Sequence, residues 1–99
     1  MKADITKLVV VFDTHQSIDS VFKEMGKASK IVKYPGIGIV LDNKQILKGI
    51  VTDGDLRRAY ARNVDFKLPI THIMTDKPIT VHYRTPKELI INHIKEEIL

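Results

Sequence analysis

The chain has 99 residues, 43% hydrophobic and 28% charged, the balance expected of one small soluble globular domain and not of a disordered or membrane-spanning chain. It holds no cysteine, which removes disulfide frameworks, thiolate metal sites and cysteine nucleophiles and makes an intracellular, cytoplasmic setting the expectation. The net charge of +4 favours anionic partners, while neither a spanning helix of roughly 20 apolar residues nor a signal-peptide core is expected.

Leu8-Val9-Val10-Val11-Phe12 is wholly apolar and reads as a short strand, buried on both faces or lying at an edge. Asp13-Thr14-His15-Gln16 is a polar turn, and Ser17 is placed to cap a helix. Ile18, Val21, Phe22 and Met25 then recur at i, i+3, i+4 and i+7. That spacing predicts a helix laying one apolar stripe, Phe22 included, on a core, with its end near Gly26. Residues 27–33 are basic and polar, an exit loop, and Tyr34-Pro35-Gly36 is the turn before the next strand.

Ile37-Gly38-Ile39-Val40-Leu41 and Ile46-Leu47-Lys48-Gly49-Ile50-Val51 flank the polar turn Asp42-Asn43-Lys44-Gln45, the pattern of an antiparallel hairpin. Gly38 and Gly49 inside these strands predict close approach of another backbone or of a ligand. The second strand runs straight into a helix over about residues 53–62, with Leu56, Ala59 and Tyr60 as its apolar stripe and Asn63 as its cap. Pro69 opens Ile70-Thr71-His72-Ile73-Met74, long enough for a single helical turn. Ile79-Thr80-Val81 is a further strand, and Thr85-Pro86-Lys87-Glu88 carries a cap, a proline at the first helical position and a glutamate three after the cap. Ile90 or Ile91, Ile94 and Ile98 give that last helix its stripe.

The expected order is β-α-β-β-α followed by β-α, a mixed α/β (α+β) domain whose second strand–helix restarts the first. The restart stops at Leu99, before any hairpin of its own, so the chain reads as a piece of something longer. Its last helix then needs cover, and pairing with a second copy as a homodimer through helix faces is the expectation.

Thr52, Asp53 and Asp55 fall where the second hairpin strand meets its helix. Free backbone N–H groups and the positive end of a helix dipole meet there, the ingredients of an anion site. An acidic side chain at Asp55 would take a neutral donor such as a ribose hydroxyl. The competing account is that Thr52 and Asp55 only cap the helix. Arg57 and Arg58 follow one turn later, where a guanidinium can hold a phosphate with two hydrogen bonds or merely be solvated. His15, His72, His82 and His93 lack the spacing of a zinc site, and the Asp53–Asp55 pair sits on one turn rather than across a cleft. No catalytic set is found. Nucleic acid is not the expected partner, because basic residues are not interleaved with free aromatic rings.

Gly49-Ile50-Val51-Thr52-Asp53-Gly54-Asp55 has the form glycine, two apolar residues, Ser/Thr, two variable residues and aspartate. With Ile39-Val40-Leu41-Asp42, Ile46-Leu47-Lys48-Gly49 and Ile73-Met74-Thr75 before Pro78-Ile79-Thr80-Val81, this makes the chain resemble a CBS domain, the regulatory module named after cystathionine β-synthase. Residues 6–62 resemble one complete motif, 63–68 a linker and 69–99 the N-terminal part of a second, truncated motif. Thr52-Asp53-Gly54-Asp55-Leu56-Arg57-Arg58 is similar to the turn in CBS pairs appended to arabinose-5-phosphate isomerases and sugar-phosphate nucleotidyltransferases. Val64-Asp65-Phe66 with Pro69 leans toward the isomerases, and Gly36-Ile37-Gly38-Ile39 toward the nucleotidyltransferases.

The resemblance implies a nucleotide (AMP, ADP, ATP or a cytidine nucleotide) in the cleft between two motifs, and no required cofactor. Thr52 would bind phosphate, Asp55 both ribose hydroxyls, and Asp53 and Arg58 would stand beside them. Ile50, with Ile79 and Val81, would sandwich the base. The chain itself would be non-catalytic, modulating an attached sugar-phosphate enzyme whose catalytic domain lies outside it. A ligand-free structural dimerisation module is the alternative.

Overall fold

The computed structural model describes residues 5–76; the expected strand at Ile79-Thr80-Val81 and the helix opened by Thr85 lie outside the described residues. Within them the order is β1 (Val10–Asp13), α1 (Ile18–Lys27), β2 (Ile37–Leu41), β3 (Leu47–Thr52), α2 (Asp53–Ala61) and β4 (Thr75–Asp76). Short 3₁₀ turns occupy Ile5–Lys7, Ala28–Lys30 and Ile70–His72. This is the expected mixed α+β layout, with the single turn at Ile70–His72 as the spacing foretold.

The four strands form one sheet in the order β1-β2-β3-β4. β1 lies parallel to β2, with Val10 opposite Gly38 and Asp13 opposite Leu41. A parallel pair needs a crossover, and α1 supplies it. β2 and β3 form the expected antiparallel hairpin, Ile39 opposite Ile50, with a register shift at Val40/Leu41. Gln45 takes the positive φ of 64° that closes the hairpin turn. β4, which pairs antiparallel with β3 through Gly49–Asp76 and Ile50–Thr75, has no counterpart in the sequence reading. Two residues are too short to show an alternation.

Both sheet faces carry buried apolar side chains, which explains why the strands read as unbroken apolar runs. Phe12, Val40 and Val51 meet Ile18, Val21 and Met25 of α1, Leu56 of α2 and Ile70 in one core cluster. Val9, Ile39, Leu47 and Ile50 form a second cluster, because neighbours along a strand point to opposite faces. Gly38 and Gly49 do mark close approaches. A Cβ at Gly38 would stand 2.5 Å from the Phe12 ring, and one at Gly49 would stand 2.6 Å from Met74 Sδ and 2.9 Å from the Thr75 carbonyl oxygen.

The first turn of α1 shows how the segment after α2 is held. Its Ile18 and Asp19 N–H groups donate to the carbonyls of Leu68 and Phe66 at 2.9 Å each. Ser20 N–H donates to Ser17 Oγ at 3.0 Å, so the expected cap is present and the Ile18, Asp19 and Ser20 donors all find partners. Ile70 N–H in turn donates to the Gln16 carbonyl at 2.7 Å.

Two expectations about helix stripes are corrected. Phe22 is 54% exposed and Tyr60 76% exposed, so neither belongs to the buried stripe of its helix. The sheet accepts only the narrower rows Ile18, Val21, Met25 on α1 and Leu56, Ala59 on α2. The two rings flank Phe66 instead, edge-on at centroid distances of 6.0 and 6.3 Å. Helix ends move slightly as well: α1 runs past Gly26 to Lys27, and α2 is capped by Arg62, with Asn63 just beyond it at φ 60°.

Candidate functional site

β3 delivers Thr52 in extended conformation (φ −122°, ψ 167°), and α2 starts at the next residue. That break in backbone direction folds the Thr52 side chain back over the first turn. Its Oγ1 accepts the Asp55 N–H at 3.2 Å, and Asp55 Oδ2 accepts the Thr52 N–H at 2.9 Å. The pair forms a reciprocal capping box, and the hydroxyl keeps its own proton to give elsewhere.

The remaining oxygen of Asp55, Oδ1, accepts from Arg58 Nη2 at 2.7 Å. The Asp55 side chain is 15% exposed against 61% for that of Arg58. The guanidinium lies over the first turn, since a Cβ at Gly54 would meet Arg58 Nη1 at 3.1 Å and Thr52 Oγ1 at 3.6 Å. Asp53 is turned to a different neighbour. A Cβ at Gly36 would stand 2.7 Å from its Oδ2, and the Asp53 N–H donates to the Gly36 carbonyl at 3.1 Å. The turn before β2 is thereby tied to the start of α2. Two carboxylates in the first turn also match the positive end of the helix dipole.

The structure thus gathers Thr52, Asp53, Asp55 and Arg58 at the cap and first two turns of α2. Ile50, two residues before Thr52 on the same face of β3, is 2% exposed and packed with Val9, Ile39 and Leu47. Ile79 and Val81, the other residues expected around a base, lie outside the described residues.

A cavity of about 430 Å³ opens between α1 and the turn before β2, lined by Phe22, Lys23, Met25, Ser29, Gly36 and Asp53 among others. The sequence reading missed it. Among the described residues of the candidate set Asp53 alone lines it, and Gly26 and Gly36 on its wall are the signals that could have pointed there. Among the described residues no group of His, Asp and Glu could hold a metal ion, and no helix is long and apolar enough to cross a membrane. His82 and His93 lie outside those residues.

A carboxylate with lowered proton affinity, Asp42, stands at the far end of the hairpin. Asp42 Oδ1 accepts the N–H groups of Ile46 at 3.0 Å and Lys44 at 2.8 Å. The Ile46 hydrogen bond foremost, with that from Lys44 and the charges of Lys48 and Lys44, holds its carboxyl below the ordinary value against a smaller opposing effect of desolvation. This turn belongs to the hairpin's stability and not to the candidate site.

Arabinose 5-phosphate isomerase KdsD of Pseudomonas aeruginosa is 41% identical over 56 residues, which are 57% of this chain and 16% of that protein. A probable arabinose 5-phosphate isomerase of Haemophilus influenzae is 47% identical over 49 residues, 48% of this chain and 14% of the relative. The chain therefore matches only a small part of the length of these isomerases. Among solved structures, the CBS domain pair of protein MJ0100, in complex with 5′-methylthioadenosine and S-adenosyl-L-methionine, is 25% identical with a TM-score of 0.60, covering 92% of this chain and 70% of that one. An uncharacterized conserved protein from Pyrococcus horikoshii shares the fold at 24% identity and a TM-score of 0.62, over 98% of this chain and 74% of the other. A family model described as CBS domain matches residues 3–62, from before β1 to the cap of α2. On that match and on its β-α-β-β-α architecture, the chain belongs to the CBS domain family.

Proposed function

We propose that this chain is a regulatory module that binds a nucleotide at the β3–α2 junction and passes its occupancy to an attached sugar-phosphate isomerase. The observation that carries the reading is the pairing of Thr52 and Asp55 at one helix N-terminus, a hydroxyl with a free proton beside a carboxylate. In the bound state Thr52 Oγ donates to a phosphate oxygen, assisted by the α2 dipole. Asp55 accepts from the two ribose hydroxyls, which selects ribonucleotides over deoxyribonucleotides. Ile50, Ile79 and Val81 enclose the base, and Asp53 holds the wall of the site through Gly36.

The adenosine moieties of 5′-methylthioadenosine and S-adenosyl-L-methionine, held by the CBS pair of protein MJ0100, favour AMP, ADP or ATP over a cytidine nucleotide. The isomerase relatives favour that enzyme class as the attached catalytic domain, with the chemistry residing there and not in this module. Two copies pair as a homodimer through their helix faces, in the cytoplasm. Regulation then follows from unequal affinity of the ligand for two arrangements of the paired motifs.

A second reading is a structural dimerisation module without ligand. It is favoured by the capping box itself, which satisfies Thr52 and Asp55 internally. Calorimetric titration with AMP, ADP, ATP and CMP separates the two. Heat of binding that Asp55→Ala abolishes supports the sensor. Absence of heat with all four nucleotides leaves the structural role.

A further inference from the structure

The carboxylate expected to receive the ribose is occupied by the protein's own groups. Asp55 Oδ2 takes the Thr52 N–H at 2.9 Å, and Oδ1 takes Arg58 Nη2 at 2.7 Å. The first of these partners is main chain and fixed. The second is the end of a long side chain that is 61% exposed. Opening Asp55 to a ligand therefore means moving Arg58.

We propose that Arg58 is a specificity-determining residue, a guard on Asp55 that admits phosphorylated nucleotides and penalises nucleosides. The proposal rests on the nucleotide reading of Thr52 and Asp55. A ribose hydroxyl is a neutral donor, so its hydrogen bond to Asp55 is charge-assisted from the acceptor side alone and lacks the ion-pair attraction of the guanidinium. A nucleoside that takes Oδ1 exchanges a guanidinium for a hydroxyl and leaves Arg58 without its carboxylate. A nucleotide brings a second anion. The guanidinium released from Asp55 re-pairs with the phosphate, for which its planar fork is suited.

The geometry makes that transfer short. Nη1 stands 3.1 Å from the position of a Cβ on Gly54, and Thr52 Oγ1, the expected phosphate donor, stands 3.6 Å from the same point. The guanidinium already lies above the turn where the phosphate would sit, so a side-chain rotation suffices and α2 keeps its place. Gly54 makes room for this, because any side chain there would crowd the guanidinium.

The test is titration of the full chain with the matched pairs AMP and adenosine, CMP and cytidine, comparing wild type with Arg58→Gln and Arg62→Gln. Arg62 carries the same charge one turn further on, so its variant controls for net charge. Loss of the guard should weaken the nucleotide about tenfold and strengthen the nucleoside about threefold, in keeping with an exposed ion pair and a charge-assisted phosphate contact. The ratio of the two affinities should then fall about thirtyfold in Arg58→Gln and stay put in Arg62→Gln. Nucleotide binding with an unchanged ratio in Arg58→Gln overturns the guard and leaves the nucleotide site standing. An equal change in Arg62→Gln overturns it too, since bulk charge would then suffice. Absence of binding by all four compounds to wild type overturns both the site and the guard.

Discussion

Thr52 and Asp55 cap each other, each side chain accepting the other's backbone N–H, at 3.2 and 2.9 Å. The same two residues are thus asked to hold α2 and to hold a ligand. The roles can be separated by substitution. Asp55→Asn keeps an oxygen for the Thr52 N–H but loses the charge that ribose hydroxyls and Arg58 seek. It should cost less than about 1 kcal/mol in urea unfolding, against about 1–2 kcal/mol for Asp55→Ala, while both lose nucleotide binding. If Asp55→Asn binds AMP as wild type does, the carboxylate has no part in recognition.

Thr52→Ser and Thr52→Val make the complementary pair. Serine retains the hydroxyl and should leave stability and binding near wild type. Valine retains the branch but not the oxygen, so it should lower stability by about 1 kcal/mol and weaken nucleotides more than nucleosides. Thermal unfolding with calorimetry reads both effects from the same samples.

The strand glycines should differ in how badly they tolerate alanine. At Gly38 the added methyl meets the Phe12 ring at 2.5 Å and Val51 Cγ1 at 3.0 Å, both inside the main cluster. Overpacking there should cost about 1–3 kcal/mol, read as a lower urea midpoint. At Gly49 the Met74 tip can swing away but the Thr75 carbonyl at 2.9 Å cannot, so the loss should fall on β4. Hydrogen exchange should show the Gly49–Asp76 and Ile50–Thr75 pairs opening before the rest of the sheet.

The corrected position of Phe22 gives a direct comparison of neighbours. Val21 is 0% exposed and Phe22 is 54% exposed. Val21→Ala should therefore cost about 1.5–3 kcal/mol, and Phe22→Ala less than about 1 kcal/mol despite removing the larger side chain. A reversed order in chemical denaturation would contradict the packing described.

Asp42 sets an acid sensitivity for the hairpin. Its folded carboxyl lies below the ordinary value of 3.8, held there chiefly by the Ile46 N–H. A depressed carboxylate contributes stability that is present above the unfolded value and lost as pH falls through the folded one. The stability difference between wild type and Asp42→Asn should be steady at neutral pH and shrink below about pH 4. A difference that is flat down to pH 2 would show that the charge at Asp42 is not the source.

Much of the architecture was legible because apolar periodicity and caps act locally. Ser17 announced α1, and the runs either side of Asp42-Asn43-Lys44-Gln45 announced the hairpin, through chemistry within a few residues of each. Phe22 and Tyr60 were misread because helical spacing tells which residues share a face, whereas the width of the buried stripe is set by the sheet beneath. β4 was invisible because two residues carry no period, and Met74, which precedes it, lies against Gly49 from a part of the chain distant in sequence. At the site, the positions of Thr52 and Asp55 followed from the strand–helix junction. The partnership of Arg58 with Asp55 did not, since an arginine three residues on could equally have faced solvent.

The hydrogen bonds from Ile18 and Asp19 to the carbonyls of Leu68 and Phe66 have a consequence for where this module can be cut. The family match ends at residue 62, yet the donors at the head of α1 find their acceptors after it, and Ile70, 0% exposed, plugs the core from beyond it as well. Excision at residue 62 would orphan two amides at one stroke and open a hole beside Phe12 and Leu56. The segment that the family model matches and the segment that packs as one core are therefore different lengths of chain, the second extending through the turn at Ile70–His72.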